Sequence, residues 1–301
     1  MTDTLTPAAT LPAPRAGRAA GFTLVELVVV IIITGIIVGI LAMLIATPMQ
    51  AYFAQTRRAM LVNSANTARR LIAGDVRGAL PNSVRVWANG NIRMLELLAT
   101  SYNAAYYSEP GSPNPLLDLT VTVPPPDTDF ATVGVFGNPV PASTGYVVVN
   151  NLGTPAADAY TLANVIAPVN TITASIAPQP PNAPIDRVHL NPGFTFLADS
   201  PTHRVFLVTG PVAYLCDQGA RTLTRYWAYG IAATPGAHDS AAKMLAAGAQ
   251  SALVAQNITS CAFGTSMGTT QYGQLVMLQM LLSNGGENLP VMDEVSEDNP
   301  S

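Results

Sequence analysis

An α+β protein is what the sequence predicts, with one long N-terminal helix ahead of a β-rich outer region. Three observations carry this reading. Residues Leu27 to Ala46 form a run of twenty with Thr34 as the only polar side chain. Beyond it, apolar residues recur at three-, four- and seven-residue spacings as far as Leu80, which is a helical period. After Pro81 the apolar runs shorten and are bounded by Gly, Pro and Asn, which is a strand pattern.

Composition narrows the function classes. Of 301 residues, 49% are apolar and only 11% are Asp, Glu, Lys or Arg, against a usual charged share of roughly 25%. This is neither a disordered tail nor an ordinary cytosolic surface. The 14 basic residues are outnumbered by 18 acidic ones, which argues against nucleic acid as a partner.

Taken in order, the first element is a short polar leader with Arg15 and Arg18. The twenty-residue run that follows would span about 30 Å as a helix, the thickness of a bilayer core. A cleaved secretory signal is the alternative. It requires a shorter apolar core and a small-residue cleavage site, and Ile45-Ala46-Thr47-Pro48-Met49 is a poor one. Charge alone does not orient the helix, because Arg15 and Arg18 precede it while Arg57 and Arg58 follow it. Val28–Ile33 is apolar on every face, suited to lipid and then to a bundle of like helices. Gly35 and Gly39 either permit close helix approach or are simply tolerated there.

Pro48 falls inside the helical pattern and is expected to kink or loosen it. Past Pro48, the apolar set Phe53, Met60, Leu61, Ala65, Ala68, Leu71, Ile72, Val76 and Leu80 shares the helix with Arg57, Arg58, Arg69, Arg70 and Arg77. This is an amphipathic half, 48–81, expected to end at Pro81-Asn82.

The outer region, 82–301, opens with Ala88-Asn89-Gly90-Asn91 between two strand-like runs, a hairpin signal. From 110 to 192 lie 15 of the 25 prolines, so a loop-rich insertion is expected, with short strands at Leu119–Val123 and Tyr146–Val149. Denser strands follow at Phe194–Leu197, Arg204–Val208, Val212–Cys216, Leu223–Trp227 and Gln274–Leu282. Residues 287–298 carry five acidic side chains and no basic one; a solvated end is expected there, with a docking site as the alternative.

No pattern of catalytic chemistry stands out. His189, His203 and His238 are isolated, without zinc-binding spacing. Asp127 and Asp129 either touch calcium or decorate a surface loop. Asn257-Ile258-Thr259 matches a glycosylation acceptor only as a short, common pattern. Neither enzyme activity nor a cofactor, metal or small-molecule substrate is expected. Cys216 and Cys261 lie too far apart for a CxxC motif. They can pair outside the cytosol and would stay as thiols within it.

The identity resides in Gly21-Phe22-Thr23-Leu24-Val25-Glu26 at the head of the apolar run. A carboxylate there is costly and normally has a partner; on its own it could be a glutamate reaching back to the headgroups. A leader with arginines, a Gly, then Phe-Thr-Leu-Val-Glu and about twenty apolar residues resembles the type IV prepilin signature. That resemblance implies removal of leader 1–21 by a prepilin peptidase cutting between Gly21 and Phe22. It further implies N-methylation of Phe22 and an assembly role for Glu26. The fold implied is type IV pilin-like. The proline sits later than pilins commonly place it, which leaves the kink position open.

The resemblance also implies an orientation, with Gly21 on the cytoplasmic side of the inner membrane and everything after Thr47 outside. Segment 22–47 would then be the transmembrane and assembly helix, passing from membrane lipid into a pilus. Cys216 and Cys261 are accordingly expected to form a disulfide. Further residues narrow the likeness: Tyr52-Phe53, Arg57-Arg58-Ala59, Asn66-Thr67-Ala68-Arg69-Arg70, Asp75-Val76-Arg77 and Ala79–Arg85. With Tyr214–Asp217, Leu223–Tyr226, Cys261–Phe263 and Gly286–Leu289, they resemble the minor pilins of the mannose-sensitive haemagglutinin (MSHA) pilus. The partners implied are the prepilin peptidase and other major and minor pilins. Minor pseudopilins of type II secretion share the N-terminus and plan. A pilin-anchored carbohydrate-binding adhesin is the reading from another class, though Trp87 and Trp227, the two tryptophans, both sit in strand patterns.

Overall fold

The computed structural model describes residues 21–108, 118–121, 125–133, 145–162, 165–168, 171–179, 183–266 and 273–298. The leader expected at 1–21 therefore lies outside the described residues except for Gly21. The chain divides into two compact units, after Phe53.

In the first unit, helix α1 (Leu24–Arg77) begins immediately after Thr23. The Thr23 hydroxyl accepts the Glu26 N–H at 3.3 Å and its carbonyl accepts the Leu27 N–H at 3.2 Å. That caps two of the donors every helix start leaves unpaired. Every described side chain from Gly21 to Phe53 is exposed. Among the described residues, α1 is the helix long and apolar enough to cross a membrane, and none of its most apolar window is buried. The helical assignment continues through Pro48.

In the second unit, α1 buries a stripe made of Leu61, Ala65, Ala68, Ile72 and Val76, spaced four, three, four and four apart. Phe53, Met60 and Leu71, expected on that stripe, are instead exposed. The helix stops at Arg77, short of the expected Pro81-Asn82. Backbone pairing takes over there: the Gly78 carbonyl accepts the Thr100 N–H at 3.1 Å, and the Leu80 N–H donates to the Leu98 carbonyl at 2.8 Å.

The sheets follow. Strands β1 (Arg85–Asn89) and β2 (Ile92–Tyr106) form the expected hairpin, with Asn89 opposite Ile92 and Gly90 at φ +54° in the turn. Then come β3 (Asp127–Val133), β4 (Tyr146–Val149), β5 (Ile166–Pro168), β6 (Thr171–Gln179) and β7 (Ala183–Phe194). They are followed by β8 (Arg204–Asp217), β9 (Thr222–Trp227), a short helix α2 (Ala241–Ala246) and β10 (Gln250–Gln256). Among the described residues these strands make one antiparallel sheet ordered β10-β9-β8-β2-β3-β7-β6, with β1 on β2 and with β4 joining β5 and β8. A second sheet runs β11 (Ile258–Ser266), β12 (Leu275–Asn284), β13 (Glu287–Ser296).

Period-two alternation on β8 shows how the layers are held. Val212, Tyr214 and Cys216 face the α1 stripe and the second sheet, while Ala213 and Leu215 face α2 around Met244. Farther out, Val205 and Leu207 meet Phe130, Val147 and Val188 in a separate core, while Phe206 and Val208 meet Leu80 and Tyr160.

Several expectations are corrected. The insertion 110–192 contributes β3 to β7 and shares a buried core with Tyr106, Phe196, Val205 and Leu207, where mainly loops and two short strands were expected. Tyr146–Val149 is β4 as expected, but Leu119–Val123 is a single described bridge, Val121 to Phe196, with 122–124 outside the described residues. Phe194–Leu197 is no strand of its own, since β7 ends at Phe194. Arg204–Val208 and Val212–Cys216 are one strand, because a register shift opposite Ala99–Tyr102 carries β8 past Gly210-Pro211. The acidic end is also no free tail. Residues Glu287–Ser296 pair along all of β12, with Leu289, Val291 and Val295 turned toward the core.

Candidate functional site

The expected site residues fall into two places. Gly21, Phe22 and Glu26 cluster at the head of the first unit. Phe22 is 78% exposed, and Glu26 stands in the first turn of α1, exposed. A carboxylate at that end is favoured by the partial positive charge of the helix N-terminus. Thr23 is the residue that sequence reading passed over. Thr23-Leu24-Val25-Glu26 has the spacing of a capping box, a legible signal. Gly21-Phe22 precedes the first helical turn as irregular chain, and an accessible, unfolded peptide bond is what a peptidase requires.

Cys216 on β8 and Cys261 on β11 are joined in a disulfide that crosses from one sheet to the other, both residues buried. It lies in the same core as the α1 stripe. The Gln218 amide donates to the Cys261 carbonyl at 3.1 Å and helps seat that corner.

Three polar groupings in the outer unit position these parts. Asp75 on α1 accepts from Arg225 Nε of β9 at 2.6 Å and from the Tyr214 hydroxyl of β8 at 2.6 Å. Hydrogen bonding to Asp75 raises the Arg225 pKa, while burial raises that of Tyr214. This ties helix to sheet by a geometrically specific pair. On the opposite sheet face, Glu96 is fully buried; it receives Arg85 at 2.6 Å and the Tyr229 hydroxyl at 2.9 Å. The Arg85 guanidinium lies 3.4 Å from the Tyr160 ring centroid and donates to the carbonyls of Ala232 and Ala233. A buried carboxylate survives only with such complete pairing.

The third grouping closes the chain. Glu297, just past β13, accepts the Asn82 and Gln274 N–H groups at 3.2 and 3.1 Å. Gln274 in turn brackets Val84, accepting its N–H at 3.1 Å and donating to its carbonyl at 2.8 Å. Burial pushes the Glu297 carboxyl up to about 7, two backbone hydrogen bonds offsetting only part of the cost. Beside it, Ser83, Arg85, Asp158, Tyr160 and Gln274 help line a cavity of about 130 Å³.

His189 and His203 are accounted for by local pairing, while His238 packs edge-on against the Tyr229 ring with its Nδ1 buried and unpartnered. His189 Nδ1 lies 2.8 Å from Asp129, which also holds Arg187 at 3.0 Å. Asp129 and Asp127 sit on β3, not in the expected loop, and Asp127 accepts from Thr120. Among the described residues no group of three or more His, Cys, Asp or Glu is arranged to hold a metal ion. Ser108 Oγ and Asp199 Oδ2 both approach His203 Nε2, at 3.1 and 3.2 Å. Proton relay needs the two on different ring nitrogens, so this trio does not make an acyl-transfer site.

Comparison with protein families matches the prokaryotic N-terminal methylation motif to residues 17–42. No curated protein matches the chain, and no solved structure does. The matched segment covers the Gly21–Glu26 head and most of the apolar run. That motif implies processing by a prepilin peptidase and assembly with other pilins, and behind it stand a long helix and an antiparallel outer domain with a disulfide. The motif indicates prepilin-type processing, and the long apolar helix followed by an antiparallel sheet domain has the plan of a type IV pilin-like fold, which pilins and pseudopilins share.

Proposed function

We propose that the chain is a minor pilin-like subunit that serves the assembly, or the tip and priming complex, of an MSHA-type type IV pilus. Within that system it resembles the minor pilin MshO. The observation that carries this is the methylation motif on an exposed helix head, with Glu26 one turn inside. The peptidase adds water across the Gly21–Phe22 bond, leaving a carboxylate on Gly21 and a new amine on Phe22, which then accepts a methyl group. As the helix leaves lipid for a bundle of like helices, its Glu26 carboxylate is neutralised by the Phe22 amine of a neighbour. Desolvation makes such a pair strong and register-specific.

The outer region, 82–301, is large for a repeating filament unit, which favours few copies and specific neighbours. The minor pseudopilin of type II secretion is the second reading, since the motif is common to both systems. Localisation follows: single-pass in the inner membrane with a cytoplasmic N-terminus, then the pilus. The test is Glu26→Ala in the full chain. Cleavage, insertion and folding should persist, while co-purification with sibling minor pilins and pilus number by microscopy both fall. Unchanged association and pilus number would reduce the helix to an anchor. A chain encoded among secretion genes with no pilus operon nearby would replace the MSHA reading with the pseudopilin one.

A further inference from the structure

Two sheet edges of opposite character lie in the outer unit. Edge strand β13 carries Pro290, Asp293 and Glu294, the kind of residue that keeps an exposed edge from pairing with another chain. Edge strand β10 has none. It reads Gln-Ser-Ala-Leu-Val-Ala-Gln, and no Asp, Glu, Lys or Arg occurs between Lys243 and Glu287. Among the described residues β10 pairs with β9 alone. Its residues Gln250–Leu253 are exposed, Leu253 by 52%. Alongside runs a groove of about 380 Å³ between strand and helix, lined by Met60, Asn63, Leu253, Val254 and Ala255, with Met60 itself 61% exposed.

We infer that β10 and this groove form a docking edge for an extended, uncharged strand of a different pilin-like subunit. The inference rests on the pilin-like reading above and names the partner surface it leaves open. The unpaired backbone of an edge selects an extended main chain, and alternate side chains of the incoming strand meet the groove. Charge selects the rest. With no ionic group on β10 or in the groove, a charged occupant would lose hydration without gaining a partner.

Pairing of β10 with β10 of a second copy is opposed by geometry. Antiparallel pairing of two identical edges puts the two-fold axis perpendicular to the sheet. The Leu61–Val76 stripe lies on the face of that sheet, so such an axis reverses the helix. The Ala54–Arg77 segments of two copies would then run antiparallel, whereas subunits of a bundle of like helices run parallel. The occupant is therefore a strand from a different pilin-like subunit.

The test places a photoreactive benzophenone residue at Leu253 in the full-length chain, in cells that make its sibling subunits. Illumination should give an adduct whose partner peptide is an uncharged segment of another chain bearing the methylation motif. The same probe at Met292 on β13, 70% exposed, should give roughly tenfold less, as its charged edge resists pairing. An adduct to a second copy of this chain, or a yield at 253 no higher than at 292, overturns the inference. Leu253→Lys should lower co-purification of that partner by roughly tenfold, the disulfide and melting temperature staying unchanged; unaltered co-purification overturns it too. If Glu26→Ala lowers pilus number while position 253 gives no adduct, this inference alone fails. If Glu26→Ala changes nothing, it is the pilin reading that fails.

Discussion

The two halves of α1 share one secondary structure and obey different solvents. From Leu24 to Phe53 the helix is apolar around its circumference, and every described side chain is exposed. From Ala54 to Arg77 one apolar stripe is buried under the chain's own sheets, while Met60, Val62 and Leu71 beside it stay exposed. Alanines at 65, 68 and 73 let the second half sit close, while arginines at 58, 69, 70 and 77 occupy its exposed side. Helix formation alone therefore says little about role. What distinguishes the halves is whether the chain supplies its own cover. The second half is part of a domain core; the first leaves its apolar surface to lipid or to like helices.

The sharpest way to break that contrast is at the boundary ahead of the first half. Replacing Gly21 by Val should abolish leader removal, since the family's peptidase cuts after glycine. Intact mass of membrane-extracted protein should retain Met1–Gly21 in the variant and begin at methylated Phe22 in the parent. A parent mass that keeps the leader, in cells with an active prepilin peptidase, defeats the proposal.

Next in size is the covalent tie beneath the second half. Closing a loop of 45 residues' separation contributes on the order of 4 kcal/mol in the chain-entropy model. Cys216→Ser with Cys261→Ser should lower outer-domain stability by that order in denaturant unfolding. Free reaction of both thiols with a maleimide, in folded protein made in the periplasm, would show that the pair is not joined.

A matched pair of isoleucines then compares the halves directly. Ile72 is 1% exposed and Ile32 56%. Ile72→Ala should cost roughly 2–4 kcal/mol of outer-domain stability, for lost transfer energy plus a cavity. Ile32→Ala should leave that transition where it was. Equal losses would mean that the halves are not physically distinct.

The smallest effect concerns the seal at the chain's end. Glu297 has its carboxyl raised to about 7 from an ordinary 4.5, so between those values the folded protein binds the extra proton. Stability from this group is therefore full below about pH 4.5 and lost as pH rises through 7, by at most about 3 kcal/mol. Glu297→Gln, uncharged throughout, should flatten that part of the pH–stability curve. A variant curve parallel to the parent's from pH 4.5 to 7.5 rules out Glu297 as its origin.

Local chemistry determined much of this in advance. Twenty apolar residues, a helical period from Leu61 to Val76, and Asn89-Gly90 between strand-like runs each point to one structure. The reason is that backbone period and turn sterics are properties of neighbours in sequence. The Gly21–Glu26 head was legible for the same reason, all its parts lying within six residues. Where the sequence misled, the deciding partner was distant. The helix stops at Arg77 because Gly78 and Leu80 are claimed by β2, although nothing before Pro81 announces it. Five acidic residues suggested a solvated end, yet β12 supplies a ladder for residues 287–296, and Arg69 and Arg77 stand 3.9 Å from Asp293 and Asp298. Gly210-Pro211 looked like a break, and a register shift on the facing strand absorbs it. The burial of Glu96 and Glu297, and the bareness of the β10 edge, belong to the same class. Each depends on which strands become neighbours, a choice made by burial of apolar surface over the whole domain. The sequence by itself determined the helix, its two faces and the processing head; only the tertiary structure decided which charges are enclosed and which edge is left open.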